Sequence, residues 1–134
     1  MPKKSFTHIG PDGQVRMVDV SDKTATHRVA RAGAQLTMQT DTLEKIIAGA
    51  VTKGNVLETA RIAGIMAAKK TADLIPMCHP LNLSLVRVDF WPDRQIPGIR
   101  IETTVRVVGP TGVEMEALTA AAAAALTIYD MCKS

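Results

Sequence analysis

Aromatic residues are scarce in this sequence, whose 134 residues include one Trp, one Tyr and two Phe. Aliphatic side chains and alanine must therefore fill the core, and their small size favours close approach between backbones. A chain of this length can bury roughly two thirds of its unfolded surface, so a core can form without disulfides. We expect a single domain over residues 1–134.

Cysteines and long apolar runs are also few. The two cysteines, Cys78 and Cys132, stand in unrelated contexts, and the sequence has no Cys-x-x-Cys pair. This usage excludes a disulfide framework and predicts free thiols in a reducing compartment. The polar start does not resemble a secretory signal, and charged residues interrupt each apolar segment before it could span a membrane. We expect a cytoplasmic protein with no membrane partner.

Neither sign of charge is in large excess. The 16 Lys and Arg residues against 13 Asp and Glu give a net charge of +3, and the isoelectric point is about 9.1. A nucleic-acid-binding surface usually concentrates its Lys and Arg in a stripe, whereas here only Lys3-Lys4 and Lys69-Lys70 are adjacent. This spread favours a few cations converging on a phosphorylated small molecule. A basic nucleic-acid module is the competing hypothesis.

Alternation of apolar and polar residues predicts three strands. We place them at 27–38, 83–90 and 99–107, the last with the most regular alternation. The polar start, about 1–13, ends in a Pro-Asp-Gly turn signal and is expected to be mobile, and 14–20 should form a short strand or extended arm. Helices lie between the first and second strands, and a short loop joins the second strand to the third. This order predicts an α+β fold with an antiparallel sheet.

Two helices are predicted between the first and second strands. Asp41 and Glu44 have the spacing of a capping box, and Gly49 should end the short helix that they open. A longer helix should follow Asn55 and continue through Lys70. Small residues recur along it every four positions, which favours close packing on another backbone: Ala60, Gly64 and Ala68.

Two loops contain candidate functional residues. Lys53 and Gly54, just before a helix, could bind an anion through the free amides and the helix dipole, although ordinary capping by Asn55 explains the same residues. In the next loop, His79 could transfer protons or donate to a phosphate. Zinc binding by Cys78 and His79 is a further alternative, and an incidental His and Cys is another.

The final helix begins and ends with charge. Glu114 and Glu116 suit the first turn for structural reasons alone, because the helix dipole favours acids there. Asp130 lies in the last turn, where the dipole disfavours a carboxylate, and Lys133 can offset its charge and lower its pKa. One side of this helix is shallow, which fits either a pocket floor or tight packing: Glu116, Ala120, Ala123, Thr127 and Asp130.

Three segments together resemble a known family. They are MVDVSDK at 17–23, KGNVLETARIAGIMAAKKTADLIPMCHPL at 53–81 and TGVEMEALTAAAAAALTIYDMCK at 111–133. The sequence is similar in these segments to the molybdenum cofactor biosynthesis protein C family, the cyclic pyranopterin monophosphate synthases. The resemblance covers nearly the whole chain.

This resemblance implies a fold, an assembly and a reaction. The fold is ferredoxin-like α+β, with an antiparallel sheet packed against helices. The assembly is a hexamer built as a trimer of dimers, with active sites at subunit interfaces. The implied enzyme is a lyase of molybdenum cofactor biosynthesis. It converts a GTP-derived substrate, 3′,8-cyclo-7,8-dihydro-GTP, to a pterin, cyclic pyranopterin monophosphate, and releases pyrophosphate.

The resemblance also assigns roles to residues. Asp130, Lys133 and Lys53 would be catalytic. Seven residues would bind substrate: Met77, Cys78, His79, Met115, Glu116, Glu114 and Arg28. It implies no resident cofactor and no metal ligands, although Mg²⁺ could accompany the triphosphate, and it implies no nucleic-acid partner.

Two departures from the family pattern leave an alternative open. The family usually has an aspartate at the position of Asn55, so one negative charge near Lys53 is missing. Family members also continue past the final helix into another strand and a Lys/Gly-rich tail, whereas the sequence given stops at Ser134. A non-catalytic binding or assembly member of the same family is therefore the alternative to the synthase.

Overall fold

The fold was analysed in a computed structural model, which describes residues 6–133. The helices and strands follow one another as β1 (Thr26–Thr37), α1 (Thr40–Ala48), α2 (Val56–Lys69), α3 (Thr71–Leu74), β2 (Leu83–Asp93), β3 (Gly98–Gly109) and α4 (Glu114–Cys132). All three strands predicted from the sequence are present, and the α+β class is confirmed.

The three strands form one antiparallel sheet in the order β1-β3-β2. The central strand β3 pairs along its whole length with β1, and from Gly98 to Val107 with β2, so that Thr103 lies between Ala32 and Val88. The order of elements is strand, helices, two strands and a helix. It agrees with the expected ferredoxin-like arrangement, in which a split β-α-β unit places its helices on one face of the sheet.

The inward face of β3 forms the centre of the core. As predicted, alternate residues of this strand are almost completely buried: Ile99, Ile101, Thr103, Val105 and Val107. Thr103 also donates a hydrogen bond of 2.7 Å from Oγ1 to the carbonyl of Ala117 in α4. This bond satisfies a buried hydroxyl and ties the final helix to the sheet.

One residue on the opposite face of β3 departs from the prediction. The alternation places Thr104 on the outer face, yet its exposed fraction is only 7%. Its cross-strand neighbours are Arg31 and Arg87. Arginine stems commonly lie over neighbouring apolar surface, and alternation along one strand carries no information about them.

Helices α2 and α4 pack closely through the small-residue stripe predicted in α2. A methyl group on Gly64 would lie 3.1 Å from the carbonyl oxygen of Ala120 and 3.1 Å from Val88 Cγ2. Glycine at this position therefore lets the two helix backbones approach each other above β2. The contact holds α4 in place along its middle, and both ends of α4 extend beyond it.

The predicted capping box of α1 is wrong. The helix begins at Thr40, with Gln39 rather than Asp41 as its N-cap, and no side chain caps it. Asp41 therefore lies inside the first turn, and Glu44 instead pairs with Arg94 at 2.7 Å. The predicted end is correct, because Gly49 adopts φ 68°, a left-handed conformation that favours glycine.

The segment before β1 contains turns and no strand, so the strand interpretation of 14–20 is wrong. Its only pairing among the described residues is an isolated bridge between Ile9 and Val15. Of the start that we expected to be mobile, residues 1–5 lie outside the described part of the chain. Between residues 6 and 133, no helix is long and apolar enough to cross a membrane.

Candidate active site

The predicted site residues lie in two groups at the two ends of α4. Glu114 opens this helix and Asp130 lies in its last turn. Sixteen residues at 1.5 Å per residue separate the two by about 24 Å. Within one chain, therefore, the fold does not bring all the predicted residues together.

The first group lines a cavity of about 270 Å³ at the start of α4. Six of the predicted residues border it: Met77, Cys78, His79, Glu114, Met115 and Glu116. We call this the α4-start pocket. It joins the loop before β2 to the first turn of α4, two segments that are more than 30 residues apart in sequence.

Local backbone structure explains why the loop reaches the helix. The short helix α3 ends at Leu74, and Pro76 prevents it from continuing. The amide of Cys78 then donates to the carbonyl of Ile75 at 3.1 Å, which closes a turn. This turn positions Met77, Cys78 and His79 beside the first turn of α4.

Burial and nearby negative charge raise the pKa of two groups in the α4-start pocket. Glu116 is only 4% exposed, and burial, together with the nearby charge of Glu114, raises its pKa. Burial also raises the pKa of the Cys78 thiol, and the charges of Glu116 and Glu114 raise it further. Cys78 is therefore protonated at neutral pH, which disfavours a role as a thiolate nucleophile.

Sequence reasoning missed part of the pocket wall. Residues from the segment before β1 also line it, among them His8, Val20 and Lys23. The imidazole Nδ1 of His8 is 3.3 Å from the carbonyl oxygen of Arg16. The similarity of 17–23 to the family was the available signal, but an irregular segment has no periodicity that would place it against α4.

The second group surrounds Asp130 at the other end of α4. Lys53 Nζ donates to the Asp130 carbonyl at 2.8 Å and lies 3.9 Å from its Oδ2. Lys133 Nζ lies 3.0 Å from Oδ1. The hydrogen bond and charge of Lys133, and then the charge of Lys53, lower the pKa of Asp130. We call Lys53, Asp130 and Lys133 the α4-end cluster.

The loop before α2 brings Lys53 to this cluster. Gly54 adopts φ 119°, which other residues rarely adopt. The next residue, Asn55, caps α2 by accepting from the amide of Glu58. The capping interpretation of this segment is confirmed, but the lysine contacts α4 rather than solvent alone.

Arg28 does not join the two lysines. It lies on β1, and its Nε donates to the carbonyl of Gly109 at 3.3 Å. Its Nη2 lies 3.5 Å from the carbonyl of Pro110, and Pro110 borders a groove that also includes His79. Arg28 is therefore on the side of the α4-start pocket.

A zinc site would need more ligands than Cys78 and His79. Within residues 6–133, no group of three His, Cys, Asp or Glu residues is arranged to hold a metal ion. Both cysteines are free thiols.

Acids and imidazoles border the α4-start pocket, and two lysines hold a carboxylate at the other end of α4. Such groups are typical of an enzyme that transfers protons. The MoaC family model matches residues 17–134 of this chain. The chain belongs to the MoaC family.

Its relatives include proteins named cyclic pyranopterin monophosphate synthase. The one from Desulfatibacillum aliphaticivorans is 64% identical over 129 residues, which are 96% of this chain and 81% of the relative. The one from Methylobacterium sp. (strain 4-46) is 61% identical over 97% of this chain and 81% of the relative. The one from Nostoc sp. (strain PCC 7120) is 58% identical over 99% of this chain and 80% of the relative.

Proposed function

We propose that this chain is a cyclic pyranopterin monophosphate synthase of molybdenum cofactor biosynthesis. It would convert 3′,8-cyclo-7,8-dihydro-GTP to cyclic pyranopterin monophosphate and release pyrophosphate. The observation that carries the proposal is the identity of 64% over 96% of the chain to a relative of that name. The two groups of polar residues at the ends of α4 supply the chemistry that this reaction needs.

The α4-end cluster suits the phosphate chemistry. Lys53 and Lys133 would neutralise the triphosphate and stabilise the charge that develops as pyrophosphate leaves. Because its pKa is lowered, Asp130 is ionised at neutral pH and can accept a proton. We therefore assign it the role of base at the start of turnover, and Lys133, 3.0 Å away, is its nearest proton donor.

The α4-start pocket suits the ring. Its thioether and thiol side chains from Met77, Cys78 and Met115 offer apolar surface to a flat ring system, and Glu114, Glu116 and His79 offer polar contacts. Rearranging a purine to a pterin requires several proton transfers, which these groups can share. Such steps require no redox cofactor, and Mg²⁺ would enter with the triphosphate.

The two groups can form one site only if the protein associates, and α4 presents a surface for this. Along its outer side, five exposed residues, most of them large and apolar, fall within an arc of about 80°. They are Met115, Leu118, Ala122, Leu126 and Tyr129. Leu118, Leu126 and Tyr129 have exposed fractions of 50%, 68% and 60%. We call these five residues the α4 stripe.

A two-fold contact between two α4 stripes would bring the groups together. The stripe has its small residue, Ala122, at its midpoint, where two antiparallel helices could cross closely. A crossing there places Glu114 level with Asp130 of the second copy, because 122 is halfway between 114 and 130. Each dimer would then have two sites, which fits a homo-oligomer such as a trimer of dimers.

The experiment that tests the function is direct. The purified protein should convert the cyclic dihydro-GTP intermediate to a fluorescent pterin after oxidation, with one pyrophosphate per turnover. A complete lack of pterin and pyrophosphate at substrate saturation contradicts the proposal. Tight substrate binding without turnover would instead support the non-catalytic member of the family.

A further inference from the structure

We propose that His8 is a further catalytic residue of the α4-start pocket, where its Nε2 accepts a proton from the bound substrate. This inference rests on the proposed function, because it assigns one of the proton transfers of that reaction. It gives a task to the segment before β1, which none of the steps proposed above uses.

A hydrogen-bonded turn over residues 8–16 holds His8 at the pocket. The amide of Arg16 donates to the carbonyl of His8 at 2.8 Å, and the amide of Gly10 donates to the carbonyl of Gln14 at 2.9 Å. Gly13, in the turn between them, adopts φ 78°, a left-handed conformation that favours glycine. These bonds fix the backbone of His8, and His8 borders the α4-start pocket.

One further hydrogen bond decides which ring nitrogen of His8 carries the proton. The imidazole Nδ1 is 3.3 Å from the carbonyl oxygen of Arg16. A carbonyl oxygen can only accept, so Nδ1 must donate and must carry a hydrogen. In the neutral ring Nε2 then has a free lone pair. The nitrogen that remains for a ligand is therefore a proton acceptor.

The other groups of this pocket are less suited to accept a proton. Five further ionisable side chains border it: Lys23, Cys78, His79, Glu114 and Glu116. The raised pKa values of Glu116 and Cys78 favour their protonated forms. A carboxylate such as that of Glu114 is generally a weaker base than a neutral imidazole. His79 also borders the adjoining groove with Lys23, a position that suits the phosphates.

The proposed step is a proton transfer without any other bond change in the protein. An N–H or O–H group of the substrate gives its proton to Nε2 of His8, and the electron pair of that bond stays on the substrate. The ring becomes an imidazolium, which the negative charge of Glu114 in the same pocket favours. His8 is exposed, so the proton can return to the product or leave to solvent.

Chemical rescue tests this role. His8→Ala should lower kcat for the cyclic dihydro-GTP intermediate by about 10²-fold or more, as expected for a general base, with a much smaller change in KM. Added imidazole should restore part of the lost kcat in proportion to its concentration. The restored rate should rise with pH as the added imidazole loses its proton. A residue that only supports the backbone gains nothing from imidazole.

A second variant separates the base from the turn. His8→Asn keeps an N–H donor near the position of Nδ1 and has no group at the position of Nε2. It should lose kcat as His8→Ala does, whereas a purely structural His8 would leave it at the wild-type rate. His27→Ala is the matched control, because His27 is an exposed imidazole paired with Val108 on the outer face of the sheet. This control should keep the wild-type kcat.

Two results would overturn the inference while wild-type protein is active. One is a wild-type kcat in His8→Ala or His8→Asn, and the other is a loss in His8→Ala that imidazole does not reduce. Wild-type protein without any turnover would instead contradict the proposed reaction, so the two failures are distinguishable.

Discussion

The two ends of α4 differ in nearly every physical respect. At the start, Glu116 is buried and its pKa is raised. At the end, Asp130 is exposed between two lysines and its pKa is lowered. One end therefore holds a carboxyl group that resists ionisation, and the other holds a carboxylate that is always ionised near neutral pH. Such a separation of pKa values is how one site can contain both a proton donor and a proton acceptor.

The middle of the helix explains why both ends can differ while the helix stays rigid. Ala120 and Ala124 pack against Gly64 of α2. Because these side chains are small, the two helix backbones are in close contact, and this contact holds α4 in place. Packing continues toward both ends of α4 through Ala117 and Ile128, which are fully buried. Glu114 and Asp130, at the two ends, are exposed.

The largest expected effect is the loss of turnover when the α4-end cluster loses its carboxylate. Asp130→Ala should lower kcat by about 10²- to 10⁴-fold, as expected for a general base, and leave the melting temperature nearly unchanged because the side chain is exposed. Steady-state kinetics and thermal unfolding measure the two. Asp73→Ala, at an exposed position in α3, is the control, and equal losses in both variants would remove the assigned role.

The next effect joins the two ends across two copies. Asp130→Ala and Glu116→Gln should each have low activity alone. After the two proteins are mixed under conditions that exchange subunits, half of the dimers are mixed and each has one intact site, so about a quarter of wild-type activity should return. Activity that stays at the level of the single variants after proven exchange would mean that both groups act within one chain or in separate sites.

A third effect concerns the α4 stripe itself. Leu126→Glu places a charge within the proposed two-fold contact, one helical turn from its centre at Ala122, and should shift the protein toward smaller species, with a parallel loss of turnover. Analytical ultracentrifugation measures the shift. Val29→Glu, at an exposed position on the outer face of the sheet, is the control. If the oligomer survives Leu126→Glu and dissociates with Val29→Glu, the subunits meet through the sheet instead.

The smallest effects concern pH, and they should appear in turnover for Asp130 and in stability for Glu116. A lowered pKa keeps Asp130 ionised below the ordinary aspartate range, so the acid limb of the kcat/KM profile should move to higher pH in Lys133→Ala. The measurement is the pH profile of the residual activity. An unchanged acid limb would mean that Asp130 does not determine it.

Glu116 should affect stability rather than the acid limb. Its raised pKa means that the penalty for ionising it is absent below the unfolded-state pKa and develops as pH rises through the folded-state pKa. Glu116→Gln should therefore gain stability relative to wild type as pH rises above the ordinary glutamate range. Urea unfolding as a function of pH measures the difference, and a variant whose relative stability falls with rising pH would contradict this assignment.

Local patterns determined much of the fold. The alternation in β3 predicted which residues are buried, and the spacing of Ala60, Gly64 and Ala68 predicted the helix contact. These predictions succeed because strand and helix periodicity directly sets which side chains share a face. The capping box failed because Glu44 pairs with Arg94, which is 50 residues away in sequence.

The sequence by itself also determined the family and the kinds of groups at the site. The segment Met77–His79 and the acidic residues at the start and end of α4 can be identified without the structure. Only the tertiary structure decided how they are grouped. It placed Lys53 against Asp130, Arg28 near Pro110, and His8 and Lys23 in the pocket wall. The physical reason is that α4 is a rigid rod about 24 Å long between Glu114 and Asp130. Its two ends cannot meet within one chain, and the segments that contact each end are distant in sequence, so no local pattern records those contacts.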